Sequence, residues 1–241
     1  MTEITQRINA FFAPLRVLSG AQLKLIAIIS MLLDHTNKAL IYPYLNGGVL
    51  LVISDILDVL GRIAFPIFCF MLIEGFYKTR SRLRYLLNLL VFGVISEVPF
   101  DMFTVRELFN PNWNNIMFTL AFVLVTVWAV DALKNKLHRA LWFIVSFLIV
   151  GVSCLAVMFT GMDYEHHAVL IGYFFYLFYS VPALSVPFGF ASMYKEPWAL
   201  LGFGLVLCYN GERGKQHKWL NYWFYPVHML ILGILRMILN I

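Results

Sequence analysis

Apolar runs of about twenty residues follow one another along most of this chain, and such a run is what an α-helix needs to cross a bilayer core. Short clusters of charge, glycine or proline separate them. The runs fall at 24–42, 50–77, 83–103, 116–133, 141–159, 168–181, 182–194, 198–209 and 219–238. Across the 241 residues, 61% are hydrophobic and 13% charged, so a single soluble core would leave much apolar surface in water. The expected fold is all-α, a polytopic membrane helix bundle of about nine spans, with eight to ten allowed by the length. The run at 182–194 is short and contains Pro187. Residues 1–23 are too polar for a signal-peptide core. Ile4, Ile8, Phe11, Phe12 and Leu15 recur at helical spacing there, with Pro14 closing the pattern, which predicts an amphipathic helix on the membrane surface.

The basic residues set an orientation. Lys78, Arg80, Arg82 and Arg84 form one cluster, Lys134, Lys136 and Arg139 a second, and Arg213, Lys215 and Lys218 a third. The loops between them carry Asp101, Arg106 and Glu107, or Asp163 and Glu165. The positive-inside rule places all three basic loops, and the N-terminus with Arg7, Arg16 and Lys24, in the cytoplasm. The net charge of +5 is thereby explained without nucleic acid. Cys69, Cys154 and Cys208 lie in apolar segments without metal-ligand spacing, so neither a disulfide nor a zinc site is expected.

Ionisable residues inside spans are costly, and they mark function or a polar cavity. Asp34 and His35 lie about 15 Å into the first span, Arg62 near the middle of the second, and His228 about 13 Å into the last. Glu74 and Glu97 lie nearer span ends. Plain ion pairs account for some of these: Asp34 precedes Lys38 by four positions and Asp58 precedes Arg62 by four. Asp34 is expected to pair with Lys38 or with Arg62. His228 suits either chemistry or hydrogen-bonded packing. His166 and His167 beside Glu165 read as solvated loop residues or metal ligands. Tyr77, Trp113 and Trp219 fit interfacial belts. His35 is the strongest candidate for chemistry, because imidazole serves as base and then as acid near neutral pH. Neighbours on a helix point about 100° apart, so Asp34 does not orient His35, and the partner that does is left unassigned.

Three stretches carry a family resemblance. Lys24-Leu-Ile-Ala-Ile-Ile-Ser-Met-Leu-Leu-Asp34-His35 resembles the first span of the TraX family, named for the F-pilin acetylase. Gly61-Arg62-Ile-Ala-Phe65-Pro66-Ile-Phe68 resembles its second-span motif, and Phe224-Tyr225-Pro226-Val-His228 its last span. The middle spans match in hydropathy only. The resemblance implies a single transmembrane acyltransferase-like domain over 24–241, in the cytoplasmic membrane of a bacterium. It implies acetyl transfer from cytoplasmic acetyl-CoA, a co-substrate, to an amine or hydroxyl acceptor: a protein N-terminus, a glycan or a small molecule. His35, Asp34, Arg62 and His228 would then form the catalytic set, with Arg62 holding Asp34 or stabilising the oxyanion. Lys24, Glu74, Lys78, Arg80, Arg82 and Arg84 would form the coenzyme site, and no metal is expected. The bilayer is the constant partner, and a homo-oligomer is compatible with the sequence. A proton-coupled transporter or permease is the alternative reading, and a non-catalytic assembly scaffold a third.

The orientation has a direct test. In intact cells, Lys136→Cys should escape an impermeant thiol reagent, whereas Glu107→Cys and Glu165→Cys should react. Labelling at position 136 from outside would reverse the topology.

Overall fold

A computed structural model describes residues 3–216 and 218–241; Met1, Thr2, His217 and the side chains of Lys218, Trp219 and Leu220 lie outside the description. The parts of the third basic cluster and of the aromatic belt that rest on Lys218 and Trp219 are therefore not placed. The described chain is helical throughout its ordered elements: α1 (Glu3–Phe12), α2 (Gly20–Thr36), α3 (Val49–Gly61), α4 (Ala64–Lys78), α5 (Arg82–Thr104), α6 (Ile116–Leu133), α7 (Arg139–Phe159), α8 (Glu165–Leu177), α9 (Pro182–Ser192), α10 (Ala199–Leu207) and α11 (Lys218–Leu239).

Six stretches are long and apolar enough to cross a membrane: Gly20–Tyr44, Val49–Lys78, Arg82–Thr104, Ile116–Leu133, Arg139–Phe159 and Asn221–Leu239. The protein is a polytopic α-helical bundle. Three of the nine expected spans form helices that stop short. α8, α9 and α10 have 13, 11 and 9 residues. At 1.5 Å per residue they reach about 20, 16 and 14 Å, against a hydrocarbon core of about 30 Å.

Local chemistry sets the boundaries. Ser19 caps α2 in a reciprocal box with Gln22. Beyond Thr36 the helix widens into a π turn over Asn37–Ile41, and Pro43 closes it in a 3-10 turn. The long second run breaks between Gly61 and Ala64, so α3 and α4 are separate helices. Ser30 Oγ donates to the Leu60 and Gly61 carbonyls at that break, at 2.6 and 3.1 Å, and so fastens α2 to the end of α3. Pro66 is tolerated because it lies in the first turn of α4.

α4 is the axis of the bundle. Eleven of its fifteen residues are buried, packed among α2, α6, α8 and α10. α5 and α11 pair side by side, with Phe92 stacked on Tyr222 at 4.9 Å and Gly233 close against Met102. α1 buries none of its residues and leaves Ile4 and Phe11 exposed, as an interfacial helix would, while Asn9 donates to the Ser180 carbonyl at 3.1 Å.

The basic loops share one end. Backbone bonds run from Leu18, Gly20 and Ala21 to the carbonyls of Cys208, Glu212 and Arg213. Lys78 donates to the Gly211 carbonyl at 2.6 Å, and Arg82 pairs with Asp131 at 2.7 Å. At the opposite end Asn114 bonds to Gly161, and Asp163 to Asn114. This partition into two ends is the one the charge pattern predicted.

Glu74 clamps the basic end. Its side chain is 6% exposed and accepts from Tyr179 at 2.7 Å, Tyr209 at 2.5 Å and Lys78 at 2.6 Å. It thereby ties α4 to the turn before α9 and to the end of α10. Glu74→Ala should lower stability by on the order of 3 kcal/mol, toward the low end for breaking a buried pair because Lys78 is half exposed. Glu74→Gln, which keeps an acceptor for one hydroxyl, should cost less. Thermal unfolding in detergent ranks the two variants.

Candidate functional site

α2, α4, α5 and α11 surround a cavity of about 260 Å³, lined by Asp34, His35, Lys38, Gly61, Phe65, Phe103, Trp113, Asp163, Tyr164, Asn221, Phe224 and others. It runs from Ile28 and Asn221, on the halves of α2 and α11 nearer the basic end, to Thr104 and Trp113 near the opposite end. Three of the four proposed catalytic residues meet here.

His35 lines the cavity and His228 lies behind it, 6% exposed. The rings are nearly coplanar, 2° apart, with His35 Nδ1 2.8 Å from His228 Nε2. His228 Nδ1 lies 2.7 Å from the Phe224 carbonyl oxygen. That oxygen can only accept, so Nδ1 of His228 carries a proton. In the neutral ring Nε2 of His228 is then an acceptor, and His35 donates to it through Nδ1. Nε2 of His35 is left with its lone pair free. A backbone carbonyl thus fixes the tautomers of two imidazoles in series. His228 is the orienting partner that sequence reasoning left unassigned.

Asp34 sits beside this base. Its Oδ2 is 2.7 Å from Lys38 Nζ and 4.0 Å from His35 Nε2. Lys38 stands on the π turn, so the i,i+4 pair survives the widening of the helix. Asp34 Oδ1 is buried without a hydrogen-bond partner and lies against Gly61. A Cβ at position 61 would come within 2.6 Å of Oδ1 and 2.5 Å of Asp34 Cβ. Glycine is required here for close approach rather than for backbone conformation.

Arg62 does not reach this cavity, and the expected pairing of Arg62 with Asp34 is not formed. Its guanidinium binds Asp58 at 2.7 Å and Glu196 at 3.1 Å. Residues 61 and 62 point about 100° apart, so when Gly61 faces Asp34 its neighbour faces elsewhere. The expected coenzyme cluster is dispersed as well. Lys78 is bound to Glu74, Arg82 pairs with Asp131 and covers the Phe76 ring at 3.9 Å, and Arg80 and Arg84 are exposed. Lys24 donates to Gln216 at 3.1 Å, and Gln216 accepts from Asn221, a cavity residue. Lys24 is thus the proposed coenzyme residue most directly linked to the cavity.

Sequence reasoning missed Asp163 and Tyr164. Their loop dips into the bundle, where Tyr164 stacks on Phe65 at 3.6 Å and Thr119 donates to the Asp163 carbonyl at 2.9 Å. Tyr164 and Glu165 adopt φ of 59° and 43°. The left-handed region is unusual for such residues and has no sequence signature without a glycine. His167 bonds the Ser192 carbonyl, and His166 lies 3.7 Å from Glu165. Among the described residues, no three His, Cys, Asp or Glu side chains group to hold a metal.

The TraX protein family model matches residues 19–236. The chain belongs to the TraX family. It is also similar to the probable fimbrial assembly protein FimC, serogroup H1, of Dichelobacter nodosus, with 31% identity over 250 residues covering 92% of this chain and 97% of that one. No solved structure matches. The match takes in α2, the α3–α4 break and His228, the elements that build the cavity.

The glycine contact makes a signed prediction. Gly61→Ala should destabilise by about 1–3 kcal/mol through overpacking against Asp34. Gly151→Ala on α7, where a new Cβ meets nothing within 4 Å, should be neutral or stabilising, because alanine favours helix. Equal unfolding midpoints for the two variants would rule out the close contact.

Proposed function

We propose that this TraX-family membrane protein is an acetyltransferase, moving acetyl from acetyl-CoA at the basic end to an amine or hydroxyl acceptor that enters from the opposite end. The carrying observation is the free Nε2 of His35, presented in a cavity that extends toward both ends and held by His228 and the Phe224 carbonyl. In this reading the basic end is cytoplasmic and the membrane is a bacterial cytoplasmic membrane. The relative's description as a fimbrial assembly protein favours a protein acceptor.

His35 Nε2 removes the acceptor's proton as the acceptor attacks the thioester carbonyl. The new bond to carbon forms, the C–S bond breaks, and the proton passes from Nε2 to the departing thiolate to give free coenzyme. Asp34, 4.0 Å away, stabilises the transient imidazolium. Lys38, which also lines the cavity, supplies positive charge for the oxyanion in the role first assigned to Arg62. A variant of this route has His35 carry the acetyl group itself. The coenzyme enters beside Asn221, which is linked through Gln216 to Lys24 and to the Arg213 carbonyl. Arg62 acts at a distance, by holding the α3–α4 break to Glu196.

Thiol release from acetyl-CoA by purified protein in nanodiscs, with water as the acceptor, tests the proposal. His35→Ala should lower the rate by on the order of a hundredfold or more, the usual worth of a general base, while leaving coenzyme binding by calorimetry intact. His228→Phe keeps a planar ring but removes the acceptor nitrogen, and should reduce the rate by a smaller factor. Folded His35→Ala protein with the wild-type rate would eliminate the mechanism.

A further inference from the structure

The three short helices α8, α9 and α10 end at a common level. His167 near the start of α8 bonds to the Ser192 carbonyl at the end of α9. Glu196, in the turn between α9 and α10, pairs with Arg62 at the α3–α4 break. Gly202 of α10 packs so closely on that break that a Cβ would lie 2.5 Å from the Ile63 carbonyl oxygen. All three helices therefore stop short of the end opposite the basic one and leave the bundle beyond this level uncovered by them.

The groups at this level are polar and uncovered. The side chains of Glu165 and Glu196 are 53% and 39% exposed, and Lys195 beside them is exposed. Above them rises α3, which packs chiefly on α2. Asp55, Asp58 and Arg62 follow one another at spacings of three and four, so they form one polar stripe along α3 that descends to this level. Asp58 is 41% exposed, and Asp55 is exposed with no ion pair among the described residues. Uncovered carboxylates facing lipid tails at such depth would be strongly disfavoured.

We propose that the membrane is indented here: a water-filled basin opens from the face opposite the basic end, walled by the Asp55–Asp58–Arg62 stripe and floored by Glu165, Lys195 and Glu196. Its occupants are water and lipid headgroups drawn down from that face, whose opposite charges match a floor carrying both signs. The basin is separate from the His35 cavity. The Phe65–Tyr164 stack, on the cavity lining, stands between them, since Tyr164 directly precedes Glu165. The inference holds whether or not the chain transfers acetyl groups.

Spin-label accessibility decides it. Lys195→Cys is labelled in a Cys154→Ser, Cys208→Ser background, leaving buried Cys69 in place. The full chain is reconstituted in nanodiscs of phosphatidylethanolamine and phosphatidylglycerol. Val152→Cys is the depth control: it is 67% exposed on α7, two residues before Cys154, whose Sγ lies 4.0 Å from the His166 carbonyl. Glu107→Cys is the loop control. A water-soluble nickel chelate should collide with the label at 195 about as often as at 107, and severalfold more often than at 152. Glu165→Cys should behave like 195 and serves if that variant fails to fold. Labels at 195 and 165 that match 152, with high oxygen and low nickel accessibility, would overturn the basin.

Discussion

The approach of Asp34 to Gly61 governs much of this structure. A carboxylate on α2 fits against α3 only because position 61 has no side chain, and that fit holds the two helices close. The Ser30 hydroxyl, one turn below, fastens the same crossing by binding the carbonyls where α3 ends. With α2 fixed there, His35 is turned toward α11 and meets His228. A wider crossing would swing the imidazole off its partner, and the free nitrogen would lose its defined direction.

Much of this architecture could be read from one sequence, for reasons tied to particular residues. Apolar runs bounded by charge report helices because the bilayer accepts few other backbones. The pairs Asp34–Lys38 and Asp58–Arg62 were legible because four positions on a helix bring side chains together. The His35–His228 contact joins positions 193 apart, and no periodicity says which helix faces meet. The choice between Lys38 and Arg62 as partner of Asp34 stayed open for the same reason: depth was legible, direction around the helix was not. The runs at 168–181, 182–194 and 198–209 were legible as separate and short, since Pro182 and Lys195-Glu196-Pro197 divide them, but their apolar composition read as spans, whereas α8, α9 and α10 stop short of crossing. Asp163 and Tyr164 depend on left-handed backbone at non-glycine residues, which a sequence does not announce.

Charge is handled in three ways. Glu74 is buried but accepts from two hydroxyls and an ammonium, so it serves as a rivet. Asp34 is half satisfied, with Oδ2 on Lys38 and Oδ1 without a hydrogen-bond partner. Asp58 and Glu196 share the single guanidinium of Arg62 at the α3–α4 break. Burial alone would rank Glu74 and Asp34 together; their remaining unpaired atoms separate them.

The bond between His35 and His228 also bears on how the protein is made. One ring belongs to α2 and the other to α11, 193 positions later in synthesis. The segment Leu18–Ala21 likewise takes its backbone partners from residues 208–213, so neither end of α2 is finished until the C-terminal fifth of the chain exists. Until α11 is made, His35 must wait in the bilayer without its partner His228. Contacts of such long sequence separation form slowly. A nascent chain that lost its final helix would keep its apolar spans, insert, and carry an unoriented imidazole. Synthesis of α11 is therefore the step that gives His35 its partner.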